Sequence, residues 1–252
     1  MGKSTTMFFK KIKNLDLVIF DFDGTLVDSN GINNEIDINL VRFFDKDKSA
    51  DEILKERDYI LKAKNSGDIY INYCQYLKEV YNLNLLAEEI LEIRRNISIN
   101  FLKKVKLKPG ADVIIKMLKE QKIILALATV SSSQSLSIYL NENEDIRTKC
   151  NLQKYFDLII TKDDVIQKKP NPEVYDKIIK KFNIKDLSKC LVIEDSLLGV
   201  SAAKNAKLPV VAIYDEYSDN DREEIRKIAD YEVQNFEELI ELINRMKGED
   251  RR

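Results

Sequence analysis

Two carboxylates, Asp21 and Asp23, follow directly on the apolar run Leu17-Val-Ile-Phe20, and Gly24 breaks the chain just after them. Such a run reads as a buried strand that ends in an acidic tip. In an open α/β sheet, ligands bind outside the carboxyl ends of the strands, so carboxylates placed there face a site and not the core. A lone aspartate at such a point is commonly a plain strand-end turn. Here three further segments carry matching groups: Thr129 after the apolar run Ile123–Ala128, Lys169 ahead of Pro170, and Glu194-Asp195 after Cys190-Leu-Val-Ile193. The chain contains no histidine. That removes histidine general bases, histidine-activated serine or cysteine nucleophiles and histidine-bound zinc. What remains is chemistry on carboxylates, lysine, hydroxyls and an oxygen-preferring cation, and Mg²⁺ fits that ligand set.

The elements that must position these residues follow from periodicity. Apolar, β-rich runs fall at 15–20, 122–128, 156–160, 190–194 and 209–213, with helical patterns near 110–121, 131–141, 172–182, 196–206 and 235–247. Strands alternating with helices predict an α/β fold, a Rossmann-like parallel sheet covered by helices. Residues 30–105 interrupt this order with 3.6-spaced apolar residues and no strand, which predicts an inserted helical domain. Its apolar faces are expected from Leu40, Val41, Phe43 and Phe44, from Ile53, Leu54, Ile60 and Leu61, from Tyr73, Tyr76, Leu77 and Val80, and from Ile90, Ile93 and Ile97. Tyr73 and Tyr76 read as core and not as a ligand platform. The core is then 1–29 with 106–252, and hinges are expected at 28–31 and 106–110, where Gly and Pro punctuate the chain.

Composition sets limits. With 252 residues and 44% hydrophobic content, the chain can bury one core and a smaller second one. A net charge of -2 from 41 basic and 43 acidic residues gives no global attraction to nucleic acid or anionic membrane. Cys74, Cys150 and Cys190 lack metal or redox spacing and read as buried apolar residues in a reducing, cytoplasmic setting. The basic stretch 1–14 has no continuous apolar stretch of a signal peptide, and no later run reaches spanning length. Gly2-Lys-Ser-Thr5 looks like the end of a P-loop but lacks the upstream glycine and strand, so none is assigned.

Asp21-Phe-Asp-Gly-Thr-Leu26, Thr129, Lys169-Pro-Asn-Pro-Glu-Val-Tyr175 and Val192-Ile-Glu-Asp-Ser196, followed by Gly199 and Ala202-Ala203, together resemble the four motifs of the haloacid dehalogenase-like superfamily. The likeness covers nearly the whole chain and is greatest to phosphatases and phosphosugar mutases with a helical cap inserted after the first motif. It implies a phosphatase of a small phosphorylated metabolite working through an aspartyl-phosphate. It also implies a Mg²⁺ site completed by Asp195 with help from Glu194, to which Asp23 lends its backbone carbonyl.

The side chains suit those parts. Asp21 can attack phosphorus and form an acyl phosphate. Asp23 can protonate the leaving oxygen and then activate water. Dehalogenases of the superfamily lack this second acid, so its presence points to phosphate esters. Thr129 and Lys169 can hold the phosphoryl oxygens, helped by Gly24, and Pro170 and Pro172 stiffen the segment carrying Lys169.

Two departures bear on the substrate. Ser29 matches the hydroxyl that steers the general acid in mutase-like relatives, but Asn33 stands where they have histidine, which weakens the phosphosugar-mutase alternative. A glycine-rich cap loop is reduced to Gly67. Arg57, Lys62 and Lys64 read as a solvated helix face. Lys207 replaces a glycine common after the alanine-rich helix of the fourth motif. A non-catalytic binding domain of the same fold is the remaining alternative, and every expected catalytic position is filled against it.

Overall fold

In the computed structural model, residues 15–63 and 69–249 are described, with side chains left aside at 62, 63, 69 and 245–249. Gly2–Thr5, Lys64 and Gly67 therefore lie outside the described residues, as does the Lys62 side chain. The chain divides into two compact units, 1–29 with 105–252, and 30–104.

The first unit is built on six parallel strands: β1 (Leu17–Phe20), β2 (Ile124–Ala128), β3 (Leu158–Ile160), β4 (Cys190–Glu194), β5 (Val210–Ile213) and β6 (Tyr231–Val233). Their order is β3-β2-β1-β4-β5-β6. Parallel neighbours need crossover connections, which this chain makes with helices. These are α5 (Ala111–Glu120), α6 (Ser133–Asn141), α7 (Glu144–Lys149), α8 (Leu152–Tyr155), α9 (Glu173–Phe182), α10 (Leu197–Asn205), α11 (Arg222–Ile228) and α12 (Phe236–Glu249).

β1 is buried on both faces, which is why it reads as an unbroken apolar run. Leu17 and Ile19 join a cluster with Val174, Tyr175 and Ile178 of α9 and Val200, Ala202 and Ala203 of α10. Side chains alternate along a strand, and Phe20 lies against Phe156 and Phe236, with ring centroids at 5.9 and 6.3 Å.

Register matters most for the site. Phe20 pairs with Leu127 on one side and Ile193 on the other. One residue further along each strand, Asp21, Ala128 and Glu194 therefore emerge at the same level. The strand order reverses between β1 and β4, the switch point at which such sheets open a crevice.

The five expected strands are present. β6 was not anticipated, nor were α7, α8 and α11. β6 has three residues and buries one of them, Val233, so it carries no apolar run. The two chain crossings pair side by side through the Val27–Leu107 bridge, where Asp28 N donates to Lys106 O at 2.9 Å and Lys108 N to Leu26 O at 2.9 Å.

The second unit holds α1 (Ile32–Phe44), α2 (Ala50–Ala63), α3 (Ile69–Val80) and α4 (Ala87–Leu102). Leu40, Val41, Ile53, Tyr73, Cys74, Leu77 and Ile90 form its centre. Tyr73 and Tyr76 are core and stacked, as expected. Phe43, by contrast, is 65% exposed, because Leu40, Val41 and Phe44 form the 3.6-residue stripe and 43 falls beside it. Val80, at the end of α3, is also exposed.

Arg57 is not a solvated surface residue. It donates to Asp37 Oδ2 at 3.2 Å and to Asn34 Oδ1 at 2.8 Å. Asp37 is fully buried and also accepts Arg94 Nε at 2.6 Å, while Arg94 lies over the Tyr70 ring at 3.9 Å and donates to Asn33 Oδ1 at 3.0 Å.

Removing one partner of a buried pair strands the other charge. Arg94→Met is expected to destabilise the protein by about 3 kcal/mol in denaturant melts. Arg94→Met with Asp37→Leu, which also takes a partner from Arg57, should cost less than the sum of the two single changes, and a purely additive loss would contradict the assignment.

Candidate active site

The tip of β1 and β4 gathers the charged residues. Asp21 follows β1, is 5% exposed, and its amide donates to Ile193 O at 2.9 Å, locking it to the neighbouring strand. Lys169 Nζ reaches in from the loop before α9 and donates to Asp21 Oδ1 at 2.7 Å, Ala128 O at 2.9 Å and Glu194 Oε1 at 2.5 Å. Glu194 is held on further sides. Tyr175 Oη donates to its Oε1 at 2.9 Å, and Asp195 N and Ser196 Oγ donate to its Oε2 at 3.2 and 3.3 Å. Thr25 Oγ1 donates to Asp195 Oδ1 at 2.8 Å.

The loop that carries Lys169 is braced from outside. Glu173 accepts the amides of Ile166 at 3.0 Å and Gln167 at 2.7 Å, and these bonds, with Lys177, hold its carboxyl down at about 2. Asn205 of α10 donates to Pro170 O at 2.9 Å. A cleft beside Lys169 is lined by Thr129, Val130, Lys162, Val165, Lys168 and Val174.

Asp23 sits apart from this cluster. Its carboxylate accepts four hydroxyls: Ser29 at 2.8 Å and Tyr139 at 3.3 Å on Oδ1, Ser131 at 2.7 Å and Thr129 at 3.2 Å on Oδ2. Thr129 is thus turned toward Asp23, and it also accepts the Ser131 amide at 2.9 Å. Gly24 has φ 80°, a conformation glycine adopts freely, and its amide is given to Val27 O at 3.0 Å, closing the turn. Ser131 and Tyr139 carried no signal of their own in the sequence. Ser131 lies in a serine run that reads as the opening of α6, and which face of α6 Tyr139 occupies depends on packing.

Three buried carboxylates lie together here, and the Lys169 ammonium bonds to two of them. Burial, then Glu194, holds Asp21 well above the usual carboxylate range despite Lys169. Burial and Glu194 likewise push Asp195 up to about 7. Burial alone would lower Lys169, but Asp21 and Glu194 reverse this and keep its ammonium charged well past its ordinary range. Oxygens of Asp21, Glu194 and Asp195 all lie within 4.8 Å of one another, an all-carboxylate donor set suited to a hard divalent cation. The Asp23 carboxylate is not among them.

Gly199 makes room for this arrangement. A Cβ there would fall 1.9 Å from Glu194 Cδ, so only glycine lets α10 pass that close to the buried carboxyl.

Residues 15–207 match the family model of the haloacid dehalogenase-like hydrolases. The chain belongs to this family. Among curated hydrolases of similar sequence, (DL)-glycerol-3-phosphatase 2 of Arabidopsis thaliana is 30% identical over 215 residues, covering 82% of this chain and 83% of its own. A phosphorylated carbohydrates phosphatase of Thermotoga maritima is 29% identical over 192 residues, covering 76% and 82%. Among solved structures, a Thermotoga maritima protein described as a candidate beta-phosphoglucomutase superposes with a TM-score of 0.71 at 25% identity, over 93% of this chain and 99% of that one. No helix among the described residues of this hydrolase is long and apolar enough to cross a membrane.

Glycine to alanine inside a helix ordinarily stabilises by roughly 0.5–1 kcal/mol. Gly199→Ala is expected to do the opposite and lower the melting temperature, and Glu194→Ala in the same chain should relieve it; an increase for Gly199→Ala alone would refute the close approach.

A carboxyl whose pKa is higher folded than unfolded costs stability as pH rises from its ordinary value through the folded one. For Asp195 that window ends near 7. A bound cation removes the cost by favouring the ionised form. Mg²⁺ should therefore raise the melting temperature more at about pH 8 than at about pH 5, and an equal shift at both would count against a cation on these carboxylates.

Proposed function

We propose that this hydrolase is a Mg²⁺-dependent phosphatase that cleaves a small phosphorylated metabolite through an aspartyl-phosphate on Asp21. The observation that carries this is the difference in surroundings between two carboxylates two residues apart. Asp21 lies in the charged cluster beside Lys169, whereas Asp23 lies outside it among hydroxyls. The two hydrolases of similar sequence, named for glycerol 3-phosphate and for phosphorylated carbohydrates, support a small phosphate monoester as substrate.

Asp21, Asp195 and Glu194, together with the Asp23 carbonyl, would hold the cation. When bound, Mg²⁺ offsets the repulsion between the carboxylates and an incoming phosphate, the main demand of phosphoryl transfer. The Asp21 carboxylate attacks phosphorus, forming its O–P bond as the ester O–P bond breaks. Asp23 passes its proton to the leaving oxygen and then takes one from the water that cleaves the acyl phosphate. Lys169 supplies a fixed positive charge to the phosphoryl oxygens, and Thr129 is placed to donate to them on turning from Asp23. Gly24 shapes the turn beneath them. Asn33 is already committed to Arg94 within its own helical unit, which favours the phosphatase over the mutase.

The test is phosphate release from a panel of phosphorylated sugars, polyols, nucleotides and small acids, with and without Mg²⁺. Release should require the metal, and Asp21→Asn should reduce kcat by at least about 10³-fold. Substantial turnover by that variant, or metal-independent release, would overturn the mechanism.

A further inference from the structure

Asp23 is bound by more donors than its neighbourhood alone requires. Ser29 belongs to its own loop, and Thr129 and Ser131 sit at the end of the adjacent strand β2. Tyr139 instead reaches Asp23 from the second turn of α6. Its ring is 1% exposed and packs edge-on against Phe22, with centroids 5.0 Å apart and planes at 76°.

A buried phenol needs a partner for its O–H, and the acceptor here is Asp23 Oδ1, with the Ser29 hydroxyl beside it. The four hydroxyls together fill the roughly four lone-pair sites that a carboxylate offers. The donors are not equivalent, however. A serine or threonine hydroxyl can swing to another acceptor by rotating one bond, whereas the Tyr139 oxygen lies on the axis of a ring clamped by Phe22. Tyr139 is thus the one member of the set whose donor direction is fixed by the core.

We propose that Tyr139 is a positioning residue for the acid–base step, aiming the Asp23 carboxyl so that its second oxygen can hand a proton to the leaving group. When Thr129 turns to the phosphoryl group, one site on Asp23 Oδ2 is freed for the proton; that O–H then breaks as the leaving alcohol O–H forms, and Tyr139 keeps its own proton throughout. This rests on the phosphatase reading above.

The experiment compares kcat/KM of wild type and Tyr139→Phe on two esters, a polyol phosphate with a poor leaving group and p-nitrophenyl phosphate, whose phenolate leaves without a proton. Because kcat/KM reports the step that releases the alcohol, it isolates the acid function of Asp23. Tyr139→Phe should lose about tenfold on the polyol phosphate, a fraction of what general acid catalysis supplies, and should stay within twofold of wild type on p-nitrophenyl phosphate. An equal loss on both esters would show a merely structural role, and no loss on either would show none; both overturn the proposal. In an Asp23→Asn background, Tyr139→Phe should cost nothing further on the polyol phosphate, a comparison that holds even if the single variant melts early. A wild type inactive on both esters would instead refute the phosphatase reading, and this inference with it.

Discussion

The site depends on one electrostatic constraint: Asp21, Glu194 and Asp195 are buried within reach of one another, with the Lys169 ammonium bonded between two of them. Buried charges persist only when paired, hydrogen-bonded or bound to metal. Every structural device around the cluster answers to that need. Tyr175, the Asp195 amide and Ser196 satisfy Glu194, Thr25 donates to Asp195, and Gly199 leaves the space in which Glu194 lies.

Meeting that constraint requires Glu194, far from Asp21 along the chain, to arrive at its level. The parallel register of β1 with β2 and β4 does this without adjustment by side chains, because Phe20, Leu127 and Ile193 are already paired and each strand ends within a residue or two of them. The lysine arrives differently, on a loop, and loops need bracing to be accurate. Glu173 and Asn205 supply it by binding the loop backbone on either side of Lys169. Asp23, outside the charged cluster, is held by four neutral hydroxyls.

Much of this was legible in the chain. Buried parallel strands write themselves as apolar runs, so an acid directly after one marks a strand tip, and Asp21 and Glu194-Asp195 could be placed before any coordinates. The helical insertion was equally plain from its 3.6-residue stripes. What escaped had no local signature. β6 is too short and too open to show a period. Arg57 looked solvated because its i±3 and i±4 neighbours say nothing of Asp37, which approaches from another helix. Tyr139 reads as an ordinary core aromatic, and only the rotation of α6 about its axis turns its hydroxyl to Asp23. Thr129 was expected to face a phosphate, whereas its hydroxyl donates to Asp23, an approach that depends on how the β2 tip meets the β1 loop.

The most direct test of the central claim is to mix the enzyme with substrate and Mg²⁺, quench in acid within one turnover, and locate covalent phosphate by mass spectrometry of peptides. Phosphate is expected on Asp21 alone, formed and lost at rates compatible with turnover. Phosphate on another side chain, or rapid turnover with none trapped on Asp21 at any time point, would contradict it.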